Sequence, residues 1–455
     1  MRTILIIGAG KSSAVLIDYL LHKSTSEQFQ IQLADTSIEN AQKKLNNHPN
    51  SIAIELDVFN KPERQKAISN ASIVISMLPA HYHIEVAKDC ILYKKHLVTA
   101  SYISKEMQEL NEAAISNNLT FMNEIGVDPG IDHMSAMHVI DRIKNKGGKM
   151  LLFESFTGGL VAPEYDNNLW NYKFTWNPRN VVISGQGGVA KFIQEGKYKY
   201  IPYHKLFRRT EFLSIEGYGK FEAYANRDSL KYRSVYGLDT IPTLYRGTIR
   251  RVGFSRAWNI FVQLGMTDDS FVMEGSENMS YRDFINSFLA YHPTDSVELK
   301  LRHYLKIDQD DILWAKLIEL DLFNPNKKIG LKNATPAQML QKILTESWSL
   351  KKDDKDMIVM YHKFGFEING EKQQIDAQMV VLGDNQEHTA MAKTVGLPVA
   401  IAALKILNGE ITNKGVLRPI SKKIYTPILN ELEPYGILFK EYKVPFLGYN
   451  SENVS

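Results

Sequence analysis

Short apolar runs alternate with longer amphipathic runs over residues 3–123. The apolar runs TILII, IQLA, SIAIE, SIVISML, HLVTA and LTFMN are each bounded by polar or turn residues, which is typical of buried strands. The runs with helical spacing between them are residues 11–22, 37–45, 62–69, 82–93 and 104–116. Strands that are apolar on both faces and alternate with helices predict a parallel sheet covered on two sides. We therefore expect a doubly wound α/β domain at the start of the chain.

The pattern changes after residue 150. Longer strand candidates follow, namely KMLLFESFT, TEFLSIEG and GTIRRVGF, and residues 277–350 then carry helical spacing, with Thr335-Pro336 as a helix start. The segments DMIVMYHKFGFEI and KQQIDAQMVVLG alternate in polarity and flank Asn369-Gly370, which predicts a β-hairpin with a tight turn. A further helix is predicted over residues 389–407.

Composition narrows the class of protein. Lys and Arg number 54 against 51 Asp and Glu, so the net charge of +3 gives no argument for nucleic acid or an anionic membrane surface as a partner. A single cysteine, Cys90, excludes an internal disulfide framework and fits a reducing compartment. The apolar run near the N-terminus is too short for a signal peptide, and no window approaches the ~20 apolar residues of a membrane span. We expect a cytoplasmic protein with no nucleic-acid partner, no membrane and no metal site.

The stretch Gly8-Ala9-Gly10-Lys11-Ser12-Ser13 follows the first predicted strand and opens the first helix. Two glycines allow a tight turn and close approach of the backbone to a pyrophosphate, which the helix N-terminus then holds. Ser13 stands where the dinucleotide fingerprint has its third glycine, and its small side chain still permits close packing of helix on strand. The sequence therefore predicts a dinucleotide site here.

Asp35 ends the second predicted strand, in IQLADTS. A carboxylate at that position bonds the hydroxyls of an adenosine ribose and repels a 2′-phosphate, which favours NAD over NADP. The competing interpretation is an Asp that caps the next helix, although Thr36 and Ser37 are also suitable caps. Asp57, after the third strand, is interpreted either as a neighbour of the adenine or as a helix cap. The Ser76-Met77-Leu78-Pro79 loop, after the fourth strand, is expected to pass over the nicotinamide half.

Two segments are expected to meet at the reactive end of the dinucleotide. Ala100-Ser101-Tyr102 follows the fifth strand, and Gly126-Val127-Asp128-Pro129-Gly130 follows the sixth. In an open parallel sheet the ligand lies beyond the carboxyl ends of the strands. Tyr102 then offers a hydroxyl and Asp128 a carboxylate, which suffice for acid–base chemistry or for binding an ammonium group. The alternative is an Asp-Pro turn in which Asp128 caps the helix beginning at Ile131.

Arginines are enriched between residues 208 and 256. They are Arg208, Arg209, Arg227, Arg233, Arg246, Arg250, Arg251 and Arg256. Such enrichment suggests bidentate recognition of carboxylates or phosphates, although a solvated strand face would explain most of them individually. A nicotinamide, an Asp/Tyr pair and arginines together suggest oxidoreduction of a polycarboxylate.

These residues resemble the saccharopine dehydrogenase family, in particular its glutamate-forming branch, also called saccharopine reductase. The matching stretches are ASYIS (100–104), NEIGVDPGIDHMSA (123–136), GGLVAPEYDNNLWNYKFTWNPRNV (158–181), YANRDS (224–229), LYRGTIRRVGF (244–254) and AKTVGLPVAIA (392–402). The resemblance implies the reaction of saccharopine, NAD(P)+ and water to glutamate, allysine and NAD(P)H, or its reverse, in lysine metabolism. A related imine reductase, such as carboxynorspermidine dehydrogenase, and a non-catalytic dinucleotide-binding regulatory protein are the alternatives.

The resemblance also implies the fold class, which is α/β. A Rossmann-type doubly wound parallel sheet is expected over residues 1–130, completed by about 388–455. A second α/β (mixed-sheet) domain for substrate binding and dimerisation is expected over 131–276 and 355–387, with a small helical domain inserted at 277–354. The protein is accordingly expected to form a homodimer.

The resemblance assigns site residues motif by motif. Those implied to bind saccharopine are Ser101, Tyr102, Asp128, Arg227, Thr248, Ile249 and Arg250, with Tyr102 and Asp128 in catalytic roles. Those implied to hold the dinucleotide are Gly8, Gly10, Lys11, Ser12, Ser13, Asp35, Thr36, Asp57, Val58, Met77, Leu78, Ala100, Ser101, Val127, Asp128, Pro129 and Asn177. Two positions depart from fungal members. Those tend to carry a basic residue near Asp35 and to use NADP, and they have a cysteine where this chain has Thr157.

Overall fold

The computed structural model describes residues 1–184, 186 and 188–448. The chain forms two compact units, the first made of Met1–Met150 and Phe366–Pro445, the second of Leu151–Gly365 and the segment that begins at Phe446. The first unit thus extends beyond residue 130, and its C-terminal part begins before residue 388. The expected division into three domains stays a prediction, and residues 449–455 of its last segment lie outside the described residues.

The N-terminal part of the first unit alternates strands and helices. Its strands are β1 (Arg2–Ile7), β2 (Phe29–Asp35), β3 (Ser51–Glu55), β4 (Ile73–Ser76), β5 (His96–Val98) and β6 (Thr120–Met122). Its helices are α1 (Ala14–Ser24), α2 (Ile38–Leu45), α3 (Lys61–Ser69), α4 (His83–Leu92), α5 (Lys105–Glu109), α6 (Asn111–Ser116) and α7 (Ile131–Asn145). All six strands and the first four helices were predicted, whereas the predicted helix over 104–116 is broken at Leu110 into α5 and α6.

The second unit holds the next strands and helices of the chain. Its strands are β7 (Lys149–Val161), β8 (Ala190–Gln194), β9 (Lys197–Ile201), β10 (Thr210–Ile215), β11 (Gly219–Ala225), β12 (Thr243–Arg251) and most of β13 (Asp356–Ile368). Its helices are α8 (Pro178–Val182), α9 (Tyr203–Leu206), α10 (Tyr232–Val235), α11 (Phe254–Leu264), α12 (Tyr281–Asn286), α13 (Val297–Leu305), α14 (Ile312–Glu319) and α15 (Pro336–Trp348). Strands β10, β11, β12, β7 and β13 are neighbours in that order. The sheet is mixed, as expected, because β12 pairs antiparallel with β11 and parallel with β7.

The chain then returns to the first unit. The remaining elements are β14 (Glu371–Leu382), α16 (Ala390–Leu407), β15 (Gly415–Leu417), α17 (Lys422–Leu432) and β16 (Lys440–Val444). Asn369 and Gly370, which precede β14, have φ angles of 54° and 80°, as the predicted tight hairpin turn requires. Strand β15 pairs parallel with β6, so the parallel sheet runs β15-β6-β5-β4-β1-β2-β3. That strand order is the doubly wound one, with its switch point between β1 and β4.

Helix α16 packs against the start of α1. A Cβ on Gly396 would lie 3.0 Å from the Leu16 amide nitrogen, so glycine at this position lets the two helices approach closely without displacing each other. Among the described residues, α16 is the one helix long and apolar enough to cross a membrane by length and composition, yet 78% of its window is buried. The expectation that no window approaches a membrane span therefore overlooked α16, whose burial is that of a core helix.

Candidate functional site

The glycine loop lies between β1 and α1, at the carboxyl end of the parallel sheet. Gly8 has a φ of 105° and donates its N–H to the Ala34 carbonyl at 2.8 Å. A Cβ on Gly8 would lie 3.1 Å from the Met77 carbonyl oxygen, whereas a Cβ on Gly10 would meet no atom within 4 Å. The loop is therefore packed against the protein at Gly8 and open at Gly10, as a loop that admits a phosphate must be.

The residues after the loop form a single 3₁₀ turn, Lys11–Ser13, before α1 begins. Ser13 is buried, and its hydroxyl donates to the Gly10 carbonyl at 2.8 Å. Lys11 is exposed and Ser12 is half-buried. Ser13 thus braces the loop, and the open backbone at Gly10 fits the pyrophosphate of a nicotinamide dinucleotide.

Asp35 fixes the glycine loop from the end of β2. Its Oδ2 accepts the Ala9 N–H at 2.7 Å, and its Oδ1 accepts the Ser37 N–H at 3.0 Å. The N-cap of α2 is Ser37, whose hydroxyl accepts the Asn40 N–H at 3.2 Å. The Asp35 carboxylate therefore contacts the glycine loop as well as the start of α2, whereas the alternative interpretation made it only a cap of that helix. Thr36 beside it is exposed.

The turn after β3 carries the predicted contacts Asp57 and Val58. Asp57 is exposed, and its Oδ1 accepts the Phe59 N–H at 2.9 Å. The N-cap of α3 is Asn60, so Asp57 stabilises the turn before the helix and does not cap the helix itself. Val58 is buried.

The loop after β4 lies directly beside the glycine loop. The Met77 N–H donates to the Ile7 carbonyl at 2.9 Å, and Met77 and Leu78 are both half-buried. This loop therefore stands at the switch point between β1 and β4, where a doubly wound sheet binds its ligand.

The two segments predicted to converge do meet. The Tyr102 hydroxyl donates to Asp128 Oδ1 at 3.1 Å, and Tyr102 is 44% exposed. A Cβ on Gly126 would lie 3.0 Å from the Ala100 Cβ, so the two segments pack tightly behind Ser101. The Tyr102 phenol and the Asp128 carboxylate thus lie in contact at the carboxyl end of the sheet, and such a pair can donate or accept a proton in catalysis.

The loop that carries Asp128 is closed by its own backbone. The Gly126 N–H donates to the Pro129 carbonyl at 2.8 Å, and the Ile131 N–H donates to the Gly126 carbonyl at 2.9 Å. Gly130 has a φ of 149°, and a Cβ there would lie 2.1 Å from the Gly126 oxygen. Gly130 is the N-cap position of α7, and its N–H is bound by Asp132 Oδ1 at 2.6 Å. Val127, Asp128 and Pro129 therefore occupy a loop of fixed shape.

Glu124 is a buried carboxylate that was not among the predicted site residues, although it lies in the matching stretch NEIGVDPGIDHMSA (123–136). Its Oε1 accepts the Ile103 N–H at 3.1 Å and the Arg418 Nε–H at 2.9 Å. Its Oε2 accepts from His133 Nε2 at 2.9 Å, and its backbone N–H donates to the Ser101 carbonyl at 3.0 Å. Glu124 therefore ties the Tyr102 segment to the helix that follows Asp128.

The charge of Glu124 is maintained by its partners. Burial alone would raise the pKa of Glu124, but the hydrogen bond and charge of His133, with Arg418 and the Ile103 N–H, lower that pKa to about 2. Glu124 is 1% exposed and Arg418 comes from the segment after β15. In the sequence, the position of Glu124 just after a buried strand indicated that its carboxylate could matter. No sequence pattern identified its partner Arg418, which is 294 residues away.

Two histidines of the first unit predict an acid-sensitive fold. Burial, with a smaller effect of His81, lowers the pKa of His83 to about 4, and burial with Lys414 does the same for His96. Unfolded histidine titrates near 6.5, so between pH 6.5 and pH 4 the unfolded chain binds protons that the folded unit does not. The free energy of unfolding is expected to fall as the pH is lowered through this window, for His83 by on the order of 3 kcal/mol.

Urea unfolding of the wild type and of His96→Gln between pH 7 and pH 4 checks this expectation. The variant lacks one of the two groups, so its deficit in stability should shrink as the pH falls. A deficit that stays constant across the window would contradict the assignment.

The remaining predicted residues lie in the second unit. Register places Thr248 opposite Tyr224 on β11 and Thr157 on β7, so these side chains share one face of the sheet with Arg250. The Thr248 hydroxyl donates to Asn226 Oδ1 at 2.8 Å. The Thr157 hydroxyl is buried and has no hydrogen-bond partner within the described residues.

Arg250 lies in an aromatic cage. Its guanidinium carbon is 5.1 Å from the Tyr172 ring centre and 5.4 Å from that of Phe254, and Nη1 donates to the Ile249 carbonyl at 2.8 Å. Arg250 is 4% exposed, and its Nε, like the Tyr172 hydroxyl, finds no partner among the residues that the structure describes. Buried unpartnered donors of this kind fit a residue that awaits an anionic group.

The other three predicted residues differ in exposure. Arg227 is exposed, and its backbone carbonyl accepts the Lys191 N–H at 2.8 Å. Ile249 is fully buried, so a contact from it is limited to the backbone. Asn177 is exposed and is the N-cap of α8, where its side chain accepts the Arg179 N–H at 3.0 Å. Each stays a predicted contact, and Asn177 has a structural role in addition.

Comparison with known proteins places this arrangement in a family. Residues 4–122 match the family model described as "Saccharopine dehydrogenase NADP binding domain", and residues 126–437 match "Saccharopine dehydrogenase C-terminal domain". Saccharopine dehydrogenase [NADP(+), L-glutamate-forming] of Schizosaccharomyces pombe is 32% identical over 457 residues, 97% of this chain and 99% of that one. The enzyme of the same name from Saccharomyces cerevisiae is 33% identical over 451 residues, with the same coverage.

A solved structure agrees with the sequence matches. Apo histidine-tagged saccharopine dehydrogenase (L-Glu forming) from Saccharomyces cerevisiae superimposes with a TM-score of 0.87 at 31% identity, covering 98% of this chain and 100% of that one. The resemblance read from the motifs is therefore confirmed along nearly the whole length. The chain belongs to the saccharopine dehydrogenase family.

Proposed function

We propose that this protein is an L-glutamate-forming saccharopine dehydrogenase. The observation that carries the proposal is the Tyr102 hydroxyl on the Asp128 carboxylate, 3.1 Å apart, at the carboxyl end of a doubly wound sheet beside an open glycine loop. Relatives with that activity in their names match 97% of the chain. The reaction converts saccharopine, a dinucleotide and water to glutamate and allysine, or runs in reverse.

The chemistry requires a proton to leave the secondary amine as a hydride leaves the Cε of the lysyl part. A bound nicotinamide dinucleotide supplies the hydride acceptor. Asp128 accepts the amine proton, and the hydrogen bond from Tyr102 orients its Oδ1 for that transfer. The resulting C=N bond of the substrate takes up water at the former Cε to give a carbinolamine. As its C–N bond breaks, Asp128 returns its proton to the leaving nitrogen and the carbinolamine hydroxyl loses its proton to water, while Tyr102 keeps the Asp128 carboxyl oriented. Glutamate leaves as the amine and allysine as the aldehyde.

The substrate carries several carboxylates, and the arginines of the second unit suit them. Arg250 has an Nε with no partner among the described residues and lies within the aromatic cage, and Arg227 is exposed. A guanidinium binds a carboxylate through two parallel hydrogen bonds, which lysine does not reproduce. We propose that these two arginines bind carboxylates of saccharopine.

The test is dinucleotide reduction by the purified protein with saccharopine, with glutamate and allysine assayed as products. Formation of both products supports the proposal. If a dinucleotide binds but saccharopine gives no turnover with either NAD+ or NADP+, the proposed substrate is wrong.

We propose NAD as the preferred cofactor, although the fungal relatives are named for NADP(+). The support is Asp35, whose carboxylate is fastened to Ala9 and Ser37 at the end of β2. A fixed negative charge there accepts hydrogen bonds from a ribose diol and repels a 2′-phosphate. Thr36, which is exposed beside it, brings no positive charge.

Replacing Asp35 by Ser and Thr36 by Arg should reverse that preference. We expect the ratio of kcat/KM for NAD+ over NADP+ to fall by roughly 100-fold or more, because repulsion is removed and a phosphate-binding guanidinium is added. Asp18→Ser, on the exposed face of α1, is the control and should leave the ratio unchanged. A wild type that already prefers NADP+ would show that Asp35 serves only to brace the glycine loop.

A further inference from the structure

His83, the first residue of α4, is buried among three hydroxyl groups. Its Nδ1 lies 2.8 Å from the Ser76 Oγ, and its Nε2 lies 2.7 Å from the Ser101 Oγ and 3.1 Å from the Thr99 Oγ1. His83, Ser76 and Thr99 are at most 4% exposed. The imidazole therefore connects the ends of β4 and β5 with the loop that carries Tyr102.

The imidazole is neutral at physiological pH, because burial lowers the pKa of His83 to about 4. A neutral imidazole has one N–H donor and one bare acceptor nitrogen, so it fixes the hydroxyl on each side in a definite orientation. The Ser101 N–H also donates to the Thr99 Oγ1 at 3.3 Å. The backbone N–H of Ser101 is thus held by Thr99 at the end of β5, and its side chain by His83 at the start of α4.

A buried histidine could serve the core alone, but its contacts argue otherwise. Its nitrogens bind hydroxyls at the carboxyl ends of two neighbouring strands, which is the edge where the sheet binds its ligand. His96 offers the contrast, since it lies at the opposite end of β5 and its Nδ1 accepts a backbone N–H, that of Thr120, at 2.9 Å.

We propose that His83 is a positioning residue for the reaction, acting through the hydrogen bond of its Nε2 to the Ser101 hydroxyl. This rests on the proposed function, in which Ser101 contacts saccharopine and the dinucleotide. His83 touches neither ligand in this scheme. It holds the Ser101 hydroxyl toward them and anchors the segment whose next residue, Tyr102, binds Asp128.

Two substitutions separate this role from a structural one. The amide of Gln reaches the place of Nε2, and the shorter amide of Asn reaches only that of Nδ1. His83→Gln thus keeps a partner for Ser101 and loses Ser76, whereas His83→Asn does the reverse. We expect His83→Asn to lower kcat/KM for saccharopine by roughly 10-fold and His83→Gln by less than about threefold. Both should lower the melting temperature to a similar degree.

The same pair in a Ser101→Ala background completes the cycle. With the hydroxyl gone, the Asn and Gln variants should have equal kcat/KM and equal Kd for NAD+ and NADP+. His96→Asn and His96→Gln are the matched controls, and both should retain wild-type kcat/KM.

The outcomes distinguish failure of the inference from failure of the proposed function. Equal losses in His83→Asn and His83→Gln, or a difference that persists without the Ser101 hydroxyl, would overturn the positioning role. If the wild type does not oxidise saccharopine, the proposed function fails, and the dinucleotide Kd of the same variants still decides the role of His83. If His83→Asn binds the dinucleotide more weakly than His83→Gln, and only when Ser101 is present, the positioning role is supported. Equal dinucleotide Kd values for the two variants reject that role.

Discussion

Replacing Asp128 by Asn is expected to lower kcat for saccharopine oxidation by roughly 100-fold or more. The amide keeps the size of the side chain but cannot accept the amine proton, and general base catalysis typically contributes this much. The Tyr102 hydroxyl can still donate to the amide oxygen, so the loop should retain its shape. Steady-state kinetics at saturating dinucleotide, with saccharopine varied, checks the prediction.

The division between kcat and KM decides what Asp128 does. A raised KM with unchanged kcat would reduce Asp128 to a binding role. Asp18→Asn is the matched control, because Asp18 is exposed on α1 and bonds His388. That variant should stay within about twofold of the wild type, so a comparable loss there would point to a general effect of removing a carboxylate.

Replacing Glu124 by Gln is expected to lower the free energy of unfolding by about 3 kcal/mol, the low end of the usual cost for a buried ion pair, because the Glu124 side chain is 2% exposed and that of Arg418 is 27% exposed. The neutral amide leaves the Arg418 charge without its counter-charge, and it no longer accepts at both oxygens from Ile103, Arg418 and His133. Urea unfolding at pH 7 measures this, since the contribution is fully present above pH 4.5 and is lost as the pH falls toward 2.

Glu441→Gln is the control for this second prediction. Glu441 bonds Arg142 in the same unit, but its side chain is 31% exposed and that of Arg142 is 37% exposed. An exposed ion pair contributes little, so a loss below about 1 kcal/mol is expected. Equal losses in the two variants would show that the Glu124 network adds nothing beyond a surface pair.

Features that depend on neighbouring residues were predictable. The β-α alternation, the Asn369-Gly370 turn and the Thr335 cap of α15 all follow from local patterns, and each is present in the structure. The meeting of Tyr102 with Asp128 was also predictable, because strand order in a doubly wound sheet fixes which loops are adjacent.

Features that depend on which distant groups become buried were not predictable. His83 follows Ser76 by seven positions and precedes Ser101 by 18, and no spacing rule relates such groups. The sequence shows that arginines are enriched between residues 208 and 256, but it does not show which of them are buried. Alternation along β12 does place Arg246, Thr248 and Arg250 on one face of the strand. The sequence therefore predicted that the Tyr102 and Asp128 segments meet, and the structure identified the buried residues that support those segments.

The pairing of β15 with β6 has a consequence for how the protein is made. The ribosome releases β6 and Glu124 long before α16, β15 and Arg418, with Leu151–Gly365 of the second unit synthesised in between. Until the late segment arrives, β6 has a free edge, α1 lacks its α16 neighbour and Glu124 lacks Arg418. The dinucleotide domain thus completes its folding only after residue 418 has been synthesised, and a nascent chain stalled before that residue carries an open sheet edge of the kind that chaperones protect.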